Sequence, residues 1–230
     1  MRAIILAGGK GRRLSPYTTV LPKPLMPIGD MPILEVILRQ LKKAGITQIT
    51  MAVGYLAKII MAFFGDGKRL GLNIDYSLED KPLGTAGPLS LIKGLTDTFI
   101  VMNGDILTNI DYKELIRYHN EHNGIATIAT YKRKVTIDFG VIETNNNIVI
   151  NYIEKPVFNY KVSMGIYVFE PNILDYIPKN QYMDFPDLVN RLLSNKEKVV
   201  SFLFNGYWLD IGRQDDYTRA IDEFNEMDFI

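Results

Sequence analysis

Apolar residues run unbroken from Ala3 to Leu6 and stop at Gly8-Gly9. A short run bounded by glycines predicts a strand buried on both faces. Apolar positions return at helical spacing in Ile33, Leu34, Ile37, Leu38 and Leu41, predicting a helix over 31–45 that stops at Lys42-Lys43 and Gly45. Residues 46–53 predict a second strand, 55–64 a second helix, and 72–78 a third strand. The glycine-rich stretch PLGTAGP (82–88) follows that strand and leads into an apolar helix from Leu89 to Leu95. Residues 98–105 predict a central buried strand ending in Asn103-Gly104-Asp105, and 111–122 a polar helix. Strands and helices alternating at these lengths predict βαβ units around a largely parallel sheet.

From residue 125 the pattern changes to strands: GIATIATYKR, FGVIETN, IVINYIEKP and KVSMGIYVFEP, with a turn at Asn145-Asn146-Asn147. These are expected on the same sheet. A helix over 184–193 capped by Asp184, a strand over 198–204, a short strand ending at Asp210 and a last helix over 214–225 complete the pattern. No linker interrupts it, so residues 1–230 are read as a single domain.

Composition narrows the function classes. Lys+Arg and Asp+Glu are both 26, which argues against a polyanion-binding surface and so against nucleic acid as a partner. The absence of cysteine excludes disulfides, a thiol nucleophile and cysteine-ligated metal. No run approaches the ~20 apolar residues that span a bilayer, and the start lacks a signal-peptide layout. A cytoplasmic protein without membrane contact is expected. His119 and His122 lack a zinc-site carboxylate pattern and read as solvated helix-end histidines.

The candidate chemistry starts at the first loop. Gly8, Gly9 and Gly11 can expose successive N–H groups as an anion site, and Arg13 and Lys23 add full positive charge. Pro22 and Pro24 stiffen the chain around Lys23. An ordinary strand–loop start with surface basic residues would look the same. The run is not a P-loop, which needs G-x-x-x-x-G-K-[ST]. It also lacks the third glycine of the dinucleotide fingerprint, with Arg13 and Leu14 following Gly11 too soon. Asp105, at the end of a buried strand, suits a Mg²⁺ ligand or a turn cap. Asp210 before Gly212, Gly140 in a strand, and the pair Glu154-Lys155 each have plain structural readings as well.

Two stretches, LAGGKGRRLSPYT (6–18) and PKPLMPIGDMPILE (22–35), carry a long resemblance to the sugar-nucleotide pyrophosphorylases (sugar-1-phosphate nucleotidylyltransferases). The resemblance implies an α/β, Rossmann-like GT-A-type nucleotidyltransferase fold with a mixed, mainly parallel sheet flanked by helices. It implies nucleotide handling in about residues 1–110 and sugar-phosphate handling in about 111–230. By position it assigns nucleotide binding to Leu6, Ala7, Gly8, Gly9, Gly11, Arg12, Glu79, Gly84 and Thr85. It assigns catalysis to Arg13, Lys23 and Asp105, and Mg²⁺ to Asp105 and Asp210. Sugar-phosphate contacts fall to Gly140, Glu154, Lys155, Ser163 and Gly165. Arg12 stands where the family usually has threonine, and Ser163 where many members have asparagine. The form PLGTAGPL is similar to guanylyl-type members, so GTP and a sugar 1-phosphate are the expected substrates, mannose and manno-heptose being the candidate sugars. The alternatives are a uridylyl or cytidylyl enzyme, or a silent regulatory subunit. A GT-A glycosyltransferase would need D-x-D, where this chain has Asn103-Gly104-Asp105. Many members append a left-handed β-helix for which this chain leaves no room, so a minimal catalytic unit is expected, with a homo-oligomer compatible.

Overall fold

The computed structural model describes residues 1–224, 226 and 229. β1 (Arg2–Ala7) leads into a long loop holding three single-turn 3-10 segments, at Arg12–Leu14, Tyr17–Thr19 and Lys23–Leu25. A small bridge of β2 (Pro27–Ile28) and β3 (Met31–Pro32) precedes α1 (Ile33–Lys43). Then follow β4 (Gln48–Val53), α2 (Ala57–Phe64), β5 (Asn73–Leu78), β6 (Phe99–Asn103), β7 (Ile106–Thr108) and α3 (Tyr112–His122). The second half holds β8 (Ala126–Thr136), β9 (Val141–Asn145), β10 (Ile148–Ile153), β11 (Val157–Phe169), α4 (Phe185–Ser194), β12 (Val199–Phe204), β13 (Trp208–Asp210) and α5 (Gln214–Phe224). Asn225, the last residue of the expected final helix, lies outside the described residues.

Seven strands form one sheet in the order β12-β8-β11-β6-β1-β4-β5. Only β11 runs antiparallel to its neighbours, so the expected mixed, mainly parallel α/β sheet is what forms. The parallel strands therefore send their carboxyl ends to one edge of the sheet, where open α/β sheets bind ligands. Both faces are covered. Ile5, Met102 and Ile166 pack with Leu34, Leu38, Ile60 and Leu115 of the helices on one side. Ile4, Val101 and Phe169 pack with Leu89, Ile173 and Leu188 on the other. A sheet covered twice needs continuous apolar strands, which is why β1 and β6 read as unbroken runs.

Three expectations are corrected. The helix from Leu89 to Leu95 is only a 3-10 turn over Gly87–Leu91. Pro88 donates no backbone bond, and Gly94 takes φ 71°, which ends any helix there. His119 is not solvated: it is 1% exposed, its Nδ1 2.8 Å from Thr127 Oγ1 and its Nε2 3.0 Å from Glu170 Oε1. Those partners sit on β8 and just past β11, beyond the reach of helical periodicity. His122 is half-buried and stacks on Tyr118. Finally, β9 and β10 leave the main sheet and pair only with each other. Every residue of β10 is exposed, so neither face of that hairpin is claimed by the core. Among the described residues, no helix is long and apolar enough to cross a membrane.

Candidate active site

The loop after β1 is shaped by a few local demands. Gly11 takes φ 60°, a left-handed value that costs a side-chain-bearing residue, and its carbonyl accepts the Thr18 hydroxyl at 2.9 Å. Leu14 is buried, so it anchors the turn that carries Arg12 and Arg13. A second turn, with Pro24 and Leu25 buried, holds Lys23 at 9% exposure. Its ammonium pairs with Asp105 Oδ2.

Asp105 sits between β6 and β7, just past Gly104, whose N–H donates to Leu6 O at 2.9 Å. β13 pairs with β7 so that Asp210 stands opposite Ile106, and Ile211 N–H donates to Asp105 O at 3.2 Å. The two aspartates are thereby brought together from 105 positions apart. Desolvation, with the negative charge of Asp105 next, pushes the Asp210 carboxyl up, against the opposing pull of Lys23 and Arg13. The Arg13 guanidinium lies over Gly212, with both terminal nitrogens 3.4 Å from where a Cβ would stand. Asp105 Oδ1 is buried and has no hydrogen-bond partner among the described residues. A carboxylate oxygen left in that state is short of a cation or a donor.

These groups open into a cleft of about 830 Å³, within the usual range for small-molecule sites. Leu6, Ala7, Gly8, Gly9, Gly11, Arg12, Arg13, Lys23, Glu79, Gly84, Thr85 and Asp105 all line it, while Asp210, near Asp105, is not on its wall. Glu79 faces the glycine loop: its Oε1 would lie 2.5 Å from a Cβ on Gly8, so a side chain at Gly8 would displace the carboxylate. Its Oε2 accepts the Leu83 N–H at 3.1 Å. Burial pushes the Glu79 carboxyl up, and the Leu83 N–H only partly offsets that.

The residues expected at the sugar phosphate are not on the cleft wall. Gly140 and Glu154 do meet, on the projecting hairpin, through Tyr152. The Tyr152 hydroxyl lies against Gly140 and donates to Glu154 Oε2 at 3.2 Å. Lys155 follows with φ 45°. Ser163 is exposed, its hydroxyl 3.0 Å from the Tyr167 hydroxyl, and accepts the Gly165 N–H at 3.2 Å. Gly165 backs onto Asn103, which lines the cleft. The set is therefore divided between the hairpin, with Gly140, Glu154 and Lys155, and the part of β11 around Ser163 and Gly165, which meets Asn103 through Gly165. Tyr55, Tyr182 and Asp184 also line the cleft, and the sequence pattern did not mark them as site residues. Asp184 read as a helix cap alone. Its bonds to Thr85 span 99 positions, which no local signal carries.

The chain is 36% identical over 242 residues to a UTP–glucose-1-phosphate uridylyltransferase from Synechocystis, covering 96% of this chain and 62% of the relative. It is 34% identical over 235 residues to a mannose-1-phosphate guanyltransferase from Pichia angusta, covering 96% of this chain and 63% of that relative. The chain thus spans less than two thirds of the length of these curated relatives. A crystal structure of a provisionally named glucose-1-phosphate thymidylyltransferase from Bacillus anthracis superposes with a TM-score of 0.81 at 27% identity, covering 100% of this chain and 97% of that one. Residues 2–226 match the family model described as nucleotidyl transferase, and with the glycine–arginine loop, the buried lysine and the paired aspartates at one sheet edge, the chain belongs to the nucleotidyl transferase family.

Proposed function

We propose that this protein transfers a nucleotidyl group from an NTP to a sugar 1-phosphate, releasing pyrophosphate. The observation that carries the reading is the Lys23–Asp105 pair beside Asp210 at the foot of the Gly8–Arg13 loop. The attacking phosphate is already anionic near neutral pH, so the reaction needs positioning and charge neutralisation rather than a base. The loop N–H groups and Arg13 bind the triphosphate. Lys23 holds the phosphoryl oxygens, one on each side of the new bond. Asp105 and Asp210 suit Mg²⁺, which prefers one or two carboxylates and leaves its other positions to phosphates and water. The partnerless Asp105 Oδ1 supports that fit. Mg²⁺ bound there would supply further charge neutralisation on the triphosphate.

GTP is the preferred nucleotide in this reading. A Glu79 carboxylate accepts but cannot donate. The pairing edge of guanine offers two adjacent donors, whereas uracil and thymine offer one donor between two carbonyls. The Synechocystis relative's name favours UTP as the second reading. The sugar-phosphate contacts that the resemblance implies, Gly140, Glu154 and Lys155, are the same in both, and they lie on the projecting hairpin rather than on the cleft wall.

A pyrophosphate-release matrix decides between them. GTP, UTP, CTP and dTTP are each combined with mannose, manno-heptose and glucose 1-phosphates, with Mg²⁺. Turnover fastest with GTP is expected. Turnover fastest with UTP transfers the assignment to the second reading, and tight nucleotide binding without release in any combination identifies a silent binding subunit.

A further inference from the structure

The loop that carries Gly84 and Thr85 is held from both sides. On the inner side Glu79 accepts the Leu83 N–H at 3.1 Å. On the outer side lies a segment from the far end of the chain. Met183 N–H donates to Leu83 O at 3.0 Å, and Met183 O accepts the N–H groups of Ala86 and Gly87 at 2.9 and 3.0 Å. Asp184 Oδ1 accepts both the Thr85 N–H, at 2.9 Å, and the Thr85 hydroxyl, at 3.1 Å. Thr85 Oγ1 in turn accepts the Phe185 N–H at 2.8 Å. Asp184 Oδ2 accepts the Tyr182 hydroxyl at 2.6 Å, and both residues line the cleft. The fit is close: a Cβ on Gly84 would lie 2.5 Å from Met183 O.

Asp184 does cap α4, in a capping box with Asp187 whose Oδ2 accepts the Asp184 N–H at 3.2 Å. A cap serves the first turn of its own helix and does not account for the three side-chain bonds that run from Asp184 to Thr85 and Tyr182. A glycine-rich loop is otherwise free to sample many backbone states. Glu79 and the loop face the nucleotide together, so the position of the loop decides what the Glu79 carboxylate can reach.

We infer that Asp184, through Thr85 and Tyr182, is a positioning residue that sets nucleobase preference, locking the 83–87 loop against Glu79. The inference rests on the nucleotide-site reading above. It predicts an effect on nucleotide affinity and choice, with the phosphoryl chemistry at Lys23 and Asp105 left in place.

The test compares wild type with Asp184→Ala, Asp184→Asn, Asp184→Ser and Thr85→Val. KM and kcat are measured for GTP and UTP at saturating sugar 1-phosphate, and the affinity of each nucleotide by equilibrium dialysis. Each lost hydrogen bond changes affinity by roughly 2–10-fold. Asp184→Ala is therefore expected to raise KM for the preferred nucleotide about tenfold and to shrink the preference, with kcat within about threefold. Asp184→Asn keeps the acceptor oxygen and should retain the preference. Asp184→Ser still caps a helix but cannot bridge Thr85 and Tyr182, so it should behave as alanine does. If Asp184→Ala does not fold, Asp184→Ser and Thr85→Val make the same comparison. Folded variants that keep the wild-type preference, or that lose kcat equally for both nucleotides at unchanged KM, overturn the inference alone. A wild-type protein that binds no nucleotide overturns the functional reading together with it.

Discussion

Lys23 is held where a lysine is seldom found, 9% exposed between two prolines, and its ammonium is matched by Asp105. Burial of an unmatched charge costs several kcal/mol, so the pair is built as a unit. Lys23→Ala should lower kcat by on the order of 10²–10³ with an unchanged circular dichroism spectrum. Near-normal turnover of that variant would sink the proposed role. A different buried charge serves the fold. Burial opposes the ionisation of Glu35, but Arg39 at 2.7 Å and Arg69 at 3.1 Å outweigh it and hold the carboxyl below the ordinary glutamate range. A carboxyl lowered on folding stabilises above its unfolded value of about 4.3, and the contribution is lost as pH falls through the folded value. Glu35→Gln should therefore cost about 1 kcal/mol at pH 7, both arginines being largely solvated. The gap from wild type should close as urea titrations are taken below about pH 4.

At the scale of elements, β11 shows how a strand can serve two ends of the molecule. Its last residues pair with β6 in the core, and its first residues pair with β8 alone in the projecting ribbon. The register shifts between Ser163 and Tyr167, around Gly165 at φ 72°. A Cβ on Gly165 would lie 2.6 Å from Asn103 Nδ2, next to the cleft. Gly165→Ala combines backbone strain with displacement of Asn103 and should destabilise by about 1–3 kcal/mol. Urea unfolding gives the stability. An unchanged midpoint would show that the strand relaxes around the extra methyl group.

Over the whole molecule, the cleft joins parts that are far apart in sequence: the first loop, Glu79 to Thr85, Asp105, and the segment at Tyr182 and Asp184. A ligand that bridges these parts binds the folded state alone and stabilises it by mass action, by about 2.7 kcal/mol at a hundredfold excess over Kd. GTP should therefore raise the melting temperature, and by more with Mg²⁺ than with EDTA. An upshift indifferent to EDTA would remove the metal from the reading.

How much of this was legible before folding depended on whether the signal was local. The buried strands β1 and β6, helix α1 and the glycine–arginine loop declare themselves through apolar runs, 3.6-residue periodicity and the residue types that accept positive φ. Their physics is confined to a few neighbouring residues, so the amino-acid sequence by itself determined them, along with Lys23 and Asp105 as groups awaiting partners. The tertiary structure alone decided the rest. It made those two an ion pair and set Asp210 beside them by the β7–β13 register. It buried His119 against Thr127 and Glu170. It carried Glu154 and Lys155 onto a hairpin away from the cleft wall, and gave Asp184, besides its helix cap, the support of a loop about a hundred residues earlier. In each case the deciding energy is a contact between distant segments, which exists only once the sheet has brought them within reach.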